Sequence, residues 1–379
     1  MLKRHKAEHP VMVSRRFEVQ TTLLVGNVVE LLCSFCQDRW LARFALTCKA
    51  AFPATYALTS RRRKLWDFEK LLHDLQHNPM WTQHPARLGF VQKLSLEKHV
   101  VAPVYPVGLT GVEVLRMRPP CTPTTPFPVG VKQMFADKIT FMQRNAQAFP
   151  WPPTLEELYV SLAITFSIGA QLPPNLRKLH LQKYSGQMPP GVLPPSLVKL
   201  HVGVYGVGRN GSGVFPEGVL PAGLRSFAVG GNYVLAEGVL QALPNLVKVS
   251  FRSGFDQQLA IGMLPPTLEI LRLTTYNKPL ALGVLPESLK ILHLGHVYNH
   301  PLEPYVLPAG LECLFLREGF QQAYMEMSVE AHVFPPMLRL LDVSNASQEI
   351  KTFLRSIMLH LRGIRPNLQI NFDRQPGNM

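Results

Sequence analysis

The sequence predicts an α/β solenoid: an all-helical N-terminal module, then about twelve stacked coils that build one curved parallel sheet, then a helical C-terminal cap. Three observations carry that prediction. One ten-residue pattern recurs at near-constant spacing along most of the chain. The last four positions of each copy alternate apolar and other residues, which is the period of a strand. The chain also holds 34 prolines in 379 residues, nearly twice the usual share of about 5%, and every clear copy of the pattern carries one just before its first leucine.

Residues 1–20 form a basic tail whose Lys3, Arg4 and Lys6 lack the following apolar block and small-residue cleavage site of a secretory signal. Residues 21–62 contain no repeat and read as a helical module. Val25, Val28, Val29, Leu32 and Phe35 make one apolar stripe, Asp38 is placed to cap a second helix, and Leu41, Phe44, Ala45, Cys48 and Phe52 make another before Pro53 ends the run. Leu65, Phe68, Leu71, Leu72 and Leu75 predict one more helix, so residues 63–90 are expected to be a helical linker and N-terminal cap.

Residues 91–345 carry the repeats. LPPNLRKLHL, LPPSLVKLHV, LPAGLRSFAV, LPPTLEILRL, LPESLKILHL, LPAGLECLFL and FPPMLRLLDV share a Leu-Pro lead followed by L-x-x-L-x-L. With the copies at Leu155 and Leu246, the first pattern leucines are spaced by 21, 21, 27, 22, 22, 21, 22 and 27 residues. Weaker copies trace back through Val131, Val112 and Val91. Each coil offers one short strand, and strands about 4.8 Å apart make twelve coils a sheet roughly 55 Å long. Proline precedes the strand, where its fixed φ and missing donor set a corner without removing a ladder hydrogen bond. No coil buries its leucines alone, so the ends need caps. Residues 346–379 supply one: Ile350, Phe353, Leu354, Ile357, Met358 and Leu361 follow helical spacing until Gly363.

A second signature lies between strands: Tyr276-Asn277-Lys278-Pro279-Leu280 and Tyr298-Asn299-His300-Pro301-Leu302, with a degraded copy at Phe255-Asp256-Gln257-Gln258-Leu259. Each leads through a short spacer to the next Leu-Pro. This resembles the FNIP repeat, a leucine-rich-repeat relative of about 22 residues found in amoebae and in the large DNA viruses that infect them, and the resemblance extends over about two thirds of the chain. Asn277 and Asn299 are expected to hydrogen-bond backbone groups that the turn leaves unpaired.

The helical module resembles an F-box through Val28-Val29-Glu30-Leu31-Leu32, Leu41-Ala42-Arg43-Phe44-Ala45-Leu46 and Thr47-Cys48-Lys49 followed by Phe52, with Leu24-Val25-Gly26 where an F-box opens on Leu-Pro. The resemblance implies docking onto a Skp-type adaptor of a cullin ubiquitin ligase through Val28, Val29, Leu32, Leu41, Phe44, Leu46 and Phe52, with the solenoid holding the substrate. The whole chain then reads as a non-enzymatic interaction protein, in a host cell if viral. A stand-alone scaffold whose helical start only seals the first coil is the alternative.

The net charge of +14 permits an acidic partner or a nucleic acid. The charge is dispersed and the repeats lack regular aromatic and basic interleaving, which argues against nucleic acid. Five scattered cysteines do not make a secreted disulfide framework, and no apolar run is long enough to span a membrane, so an intracellular protein is expected. Gly206-Val207-Gly208-Arg209-Asn210-Gly211 spells a dinucleotide fingerprint but runs into Val214-Phe215-Pro216 where a phosphate-binding helix would begin. Cys33 with Cys36 lacks a second pair, and His73 with His77 lacks a third ligand. The run Arg61 to Lys64 reads as a solvated segment. No catalytic residue, metal ligand or cofactor is assigned.

Pattern positions three and five point away from the core and form two ladders, the candidate substrate-binding face. Its middle is basic, through Lys178, His180, Lys199, His201 and Lys248, with Tyr159 before it. Its later part is more apolar, through Ile270, Ile291 and Phe315, beside Arg272 and His293. Isoleucine and phenylalanine on an outward face in adjacent coils predict contact with another molecule, a protein with an acidic segment and an apolar anchor.

Overall fold

The computed structural model describes residues 66–67, 93–96, 111–117, 127–140, 151–165, 172–184, 188, 191–203, 214–231, 233–320, 333–364 and 367–372. The F-box-like residues Val28, Val29, Leu32, Leu41, Phe44, Leu46 and Phe52 lie outside them, as do the glycine-rich hexapeptide, Cys33, Cys36, His73 and His77. The chain divides into two units.

In the first unit, which takes in residues 1–97, 104–116 and 128–131, strand β1 (Trp66–Asp67) pairs in parallel with β2 (Lys93–Leu96), Trp66 opposite Leu94 and Asp67 opposite Ser95. Strand β3 (Val114–Met117) follows. The helix expected through Leu65 and Phe68 is thus replaced at Trp66–Asp67 by a strand. A neighbouring strand edge supplies backbone partners that a helical apolar stripe does not foresee.

The second unit shows how one coil is made. In the coil of Leu176, the Pro173 carbonyl accepts from the Leu176 N–H at 3.1 Å, and the same Pro-to-Leu bond recurs at Leu155, Leu197, Leu224, Leu268, Leu289, Leu311 and Leu338. Proline therefore opens a β-turn, and a second proline, as at Pro153, Pro174, Pro195, Pro266 and Pro336, fills the following position that favours it. The strand begins two residues after the turn leucine. The strands are β4 (Gln133–Thr140), β5 (Glu157–Thr165), β6 (Lys178–Leu181), β7 (Lys199–Val202), β8 (Val214–Phe215), β9 (Ser226–Val229), β10 (Val234–Leu235), β11 (Lys248–Phe251), β12 (Ile270–Leu273), β13 (Ile291–Leu294), β14 (Cys313–Arg317) and β15 (Leu340–Asn345).

From β4 to β15 one ladder runs through every coil, all parallel, skipping only β8 and β10. From β5 onward Leu158, Leu179, Leu200, Phe227, Val249, Leu271, Leu292, Leu314 and Leu341 face one another in turn and are buried, and register slips only past Phe315 in the β14–β15 pair. All nine clear sequence copies contribute a strand at the expected place. The weaker copies at Val91, Val112 and Val131 also lead into strands, β2, β3 and β4. The 27-residue coil before Leu224 uses part of its extra length for β8, which pairs in parallel with β10 in a separate two-stranded sheet.

Behind the strands, Tyr184, Tyr233, Phe255, Tyr276, Tyr298 and Phe320 form a second buried column. The Leu259 N–H donates to the Tyr276 hydroxyl at 3.2 Å, and the Tyr233 hydroxyl donates to the Tyr184 carbonyl at 2.7 Å. Asn277 meets its expectation, for its Oδ1 accepts the Asn299 backbone N–H of the next coil at 2.9 Å. In five coils the spacer before Leu-Pro closes on a left-handed residue, glycine at Gly191, Gly218, Gly262 and Gly283 with φ of 77 to 80°, but Tyr305 with φ of 66° in the coil of Leu311.

The expected C-terminal helix is present as α1 (Gln348–Ile364), with Ile350 and Leu354 buried. It is not the end of the fold. Strand β16 (Gln369–Asn371) follows and adds to β15 in parallel, Leu340 opposite Gln369 and Asp342 opposite Asn371. The helix is therefore the crossover of a last β-α-β coil, a role that parallel pairing demands. The sheet extends past the boundary expected at residue 345. Among the described residues no helix is long and apolar enough to cross a membrane.

Candidate protein-binding face

Strand alternation turns pattern positions three and five to one side of the sheet, and parallel register aligns them across coils. Glu157, Lys178, Lys199, Ser226, Lys248, Ile270, Ile291, Cys313 and Leu340 are successive partners in one row. Tyr159, His180, His201, Ala228, Ser250, Arg272, His293, Phe315 and Asp342 are successive partners in the second. All eleven residues expected on the face are there. Because strands pack so closely, most are half-buried against neighbouring coils, while Lys199 and Arg272 are exposed.

Side chains in the second row stack. Phe135 and Tyr159 lie parallel at 4.6 Å, while Tyr159 and His180 at 5.7 Å and His180 and His201 at 3.9 Å meet with tilted rings. A second stack joins His293 and Phe315 at 4.0 Å. Between the two stacks lie Ala228, Ser250 and Arg272, so the aromatic ribbon is interrupted in the middle.

The charges differ from the sequence expectation. Lys178 is paired with Glu157, and Tyr159 donates to the same carboxylate at 3.1 Å. The Tyr159 hydroxyl is pushed up by burial and by that carboxylate. Lys178 thus does not offer a free charge to a partner. The histidines add none either: burial, then the neighbouring His180 and Arg252, hold His201 down at about 3. Burial, with Arg272, Arg317 and Lys248 against a small opposing effect of Asp342, holds His293 at about 4. His180 is lowered by burial and Arg252. The basic middle therefore rests on Lys199, Lys248 and Arg272, together with Arg252.

Arg252 and Phe135 were not among the residues expected from sequence. Arg252 directly follows Phe251, the last apolar residue of β11, and packs its Cβ beside Gly230. A third outward row at pattern position seven was the signal: Gln182, Gly203, Gly230, Arg252, Thr274, Gly295 and Arg317 occupy it. Phe135 belongs to the coil of Val131, where Phe127-Pro128 replaces the Leu-Pro lead and valine replaces the first pattern leucine, which weakens the repeat in sequence.

A repeat sheet of this kind is typically a binding scaffold without chemistry of its own. Among the described residues, no group of three His, Cys, Asp or Glu side chains is placed to hold a metal ion. The FNIP Repeat family model matches residues 276–318, a narrower stretch than the sequence resemblance covers, and one that contains both undegraded Tyr-Asn-x-Pro-Leu motifs. No curated protein matches the chain. Similar solved structures include CroV588, a circular leucine-rich-repeat protein, at 20% identity and a TM-score of 0.33 over 67% of this chain. The chain spans 46% of that protein's length. YopM from Yersinia enterocolitica is similar at 17% identity and a TM-score of 0.29, over 68% of this chain and 70% of YopM. The comparisons place the FNIP repeat at residues 276–318, inside the parallel-sheet solenoid that the strands describe.

Proposed function

We propose that the chain is a non-enzymatic adaptor that holds a protein partner on the outward face of the sheet. The observation that carries this reading is the continuity of that face. Rows three and five run in register from β5 to β15, and half-buried Ile270, Ile291 and Phe315 share the face with Lys199, Lys248 and Arg272, which have no carboxylate partner among the described residues. A partner that combines an acidic segment with an apolar anchor satisfies both parts. The F-box-like residues Val28, Val29, Leu32, Leu41, Phe44, Leu46 and Phe52 then dock a Skp-type adaptor, making the chain a substrate-recognition subunit of a cullin ubiquitin ligase. Support for that second half is the sequence pattern of residues 21–62.

Two measurements on the full-length chain separate the halves. Capture of a purified Skp-type adaptor is expected, and is expected to disappear with Leu41→Asp plus Phe44→Asp. An unmodified chain that captures none refutes the ligase role and leaves a stand-alone scaffold. Partner capture by the face is expected to fall with Ile291→Asp plus Phe315→Asp, and survival of all partners through that change removes the face.

A further inference from the structure

We propose that the coil of Leu224 forms a notch that takes one phosphorylated side chain from an extended segment of the partner protein, an inference that rests on the face being a protein-binding surface.

The notch is one coil wide. That coil turns Ser226, Ala228 and Gly230 outward, where its neighbours in register present Lys199 and His201 on one side and Lys248, Ser250 and Arg252 on the other. The flanking strands are two sheet spacings, about 10 Å, apart, which admits one side chain with a tetrahedral head and not a second backbone. Three cations flank this floor, Lys199, Lys248 and Arg252, and a fourth, Arg272, stands one strand further on beside Ser250. Among the described residues none of the four is paired with a carboxylate, whereas Lys178, Lys278 and Lys290 each are. They also act on one another: after burial, the largest influences lowering the Lys248 pKa are Arg272, Lys199 and Arg252. Ser250 is 7% exposed, lies in the outward row beside Ala228, and its hydroxyl has no hydrogen-bond partner among the described residues.

Uncompensated charge with an unused hydroxyl calls for an anion of more than one charge and several acceptor oxygens. A phosphate monoester brings about −1.5 to −2 charge and three such oxygens, while a carboxylate brings one charge and two. A nucleic-acid strand fits worse, because it repeats its phosphates and needs cations in series. On one side of the notch Lys178 is already neutralised by Glu157, and on the other Ile270 and Ile291 continue the row.

The test is fluorescence anisotropy with full-length protein at physiological salt. The probes are degenerate seven-residue peptide pools centred on phosphoserine, phosphothreonine or phosphotyrosine, their unphosphorylated twins, a twin pool centred on glutamate, and a labelled oligouridine. One phosphorylated pool is expected to bind at least about tenfold tighter than both its twins, with inorganic phosphate competing. Ala228→Glu is expected to abolish the preference while leaving the thermal melt unchanged, and Lys248→Met with Arg252→Met to reduce it. Equal binding of the glutamate pool overturns the phosphate claim while leaving an acidic-peptide face intact. A preference that survives Ala228→Glu, or no binding by any pool, overturns the notch, without touching adaptor capture through residues 21–62. Tighter binding of oligouridine, lost in the same variants, overturns it in favour of nucleic acid.

Discussion

Tyr305 stands where the coils before it place a left-handed glycine, and it pays for a side chain in a backbone region that L-residues avoid. Tyr305→Gly is expected to stabilise the chain slightly, since relief of left-handed strain of about 1 to 2 kcal/mol exceeds the roughly 0.5 to 1 kcal/mol that glycine's unfolded-chain entropy costs. Gly283→Ala at the equivalent position is expected to cost about 1 kcal/mol, because the new Cβ meets only ordinary contact with Ile261 and the penalty is purely backbone. Urea unfolding midpoints check both signs. In the core, Leu271 is fully buried between Val249 and Leu292, and Leu271→Ala is expected to cost roughly 2 to 5 kcal/mol; an unchanged melt would remove it from the core. The face histidines add a pH dependence. His201 at about 3 and His293 at about 4 lie below the unfolded value of about 6.5, so the unfolded chain takes up protons first as pH falls. Their contribution to stability is complete above about 6.5 and lost as pH falls toward 4 and 3. The thermal midpoint is expected to drop between pH 7 and 5, and to drop less in a His201→Gln, His293→Gln double variant.

At the scale of one coil, a polar residue just before the turn leucine ties five of the coils to the one before. Ser196 donates to the Pro174 and Leu176 carbonyls at 2.6 and 2.8 Å, Thr267 to Leu246 at 3.0 Å, and Ser288 to Leu268 at 2.7 Å. Asn175 and Asn245 reach back similarly, to the Pro153 and Ala222 carbonyls. These bonds cross the seam between coils, where a turn carbonyl has no ladder partner. Ser288→Ala is expected to cost about 1 kcal/mol. Its sum with Ser196→Ala is expected to be additive, the sites being coils apart; a double variant far from additive would mean that the two seams do not behave independently. The degraded FNIP-like copy keeps its seam by another route: Gln257 pairs both ways with the Leu235 backbone, accepting at 2.8 Å and donating at 2.9 Å.

Across the second unit, stability comes from neighbour on neighbour, so its final coil matters more than its size suggests. Helix α1 and strand β16 complete the β15 edge and bury Ile350 and Leu354. Truncation after Asn345 is expected to expose the β15 strand edge, lower the melting temperature and promote association, which calorimetry and light scattering report. A truncated chain that melts like the full one would show that the last coil is dispensable.

The repeat, its strands and its outward rows were legible in the sequence because each depends on a local rule: a proline that opens a turn, a leucine that must be buried, and an alternation that sends neighbouring side chains to opposite faces. Pattern spacing then forces residues of successive coils into register, which is why Lys199, Lys248 and Arg272 could be placed on one face before any coordinates. Local rules are silent on what meets across coils. The pairing of Lys178 with Glu157, the neutral histidine stack, the arrival of Arg252 beside Gly230 and the strand after α1 depend on which side chains neighbouring strands present at about 4.8 Å. That juxtaposition is a property of the stacked sheet, and among the described residues it leaves Lys199, Lys248, Arg252 and Arg272 without a carboxylate partner beside one coil of small outward residues.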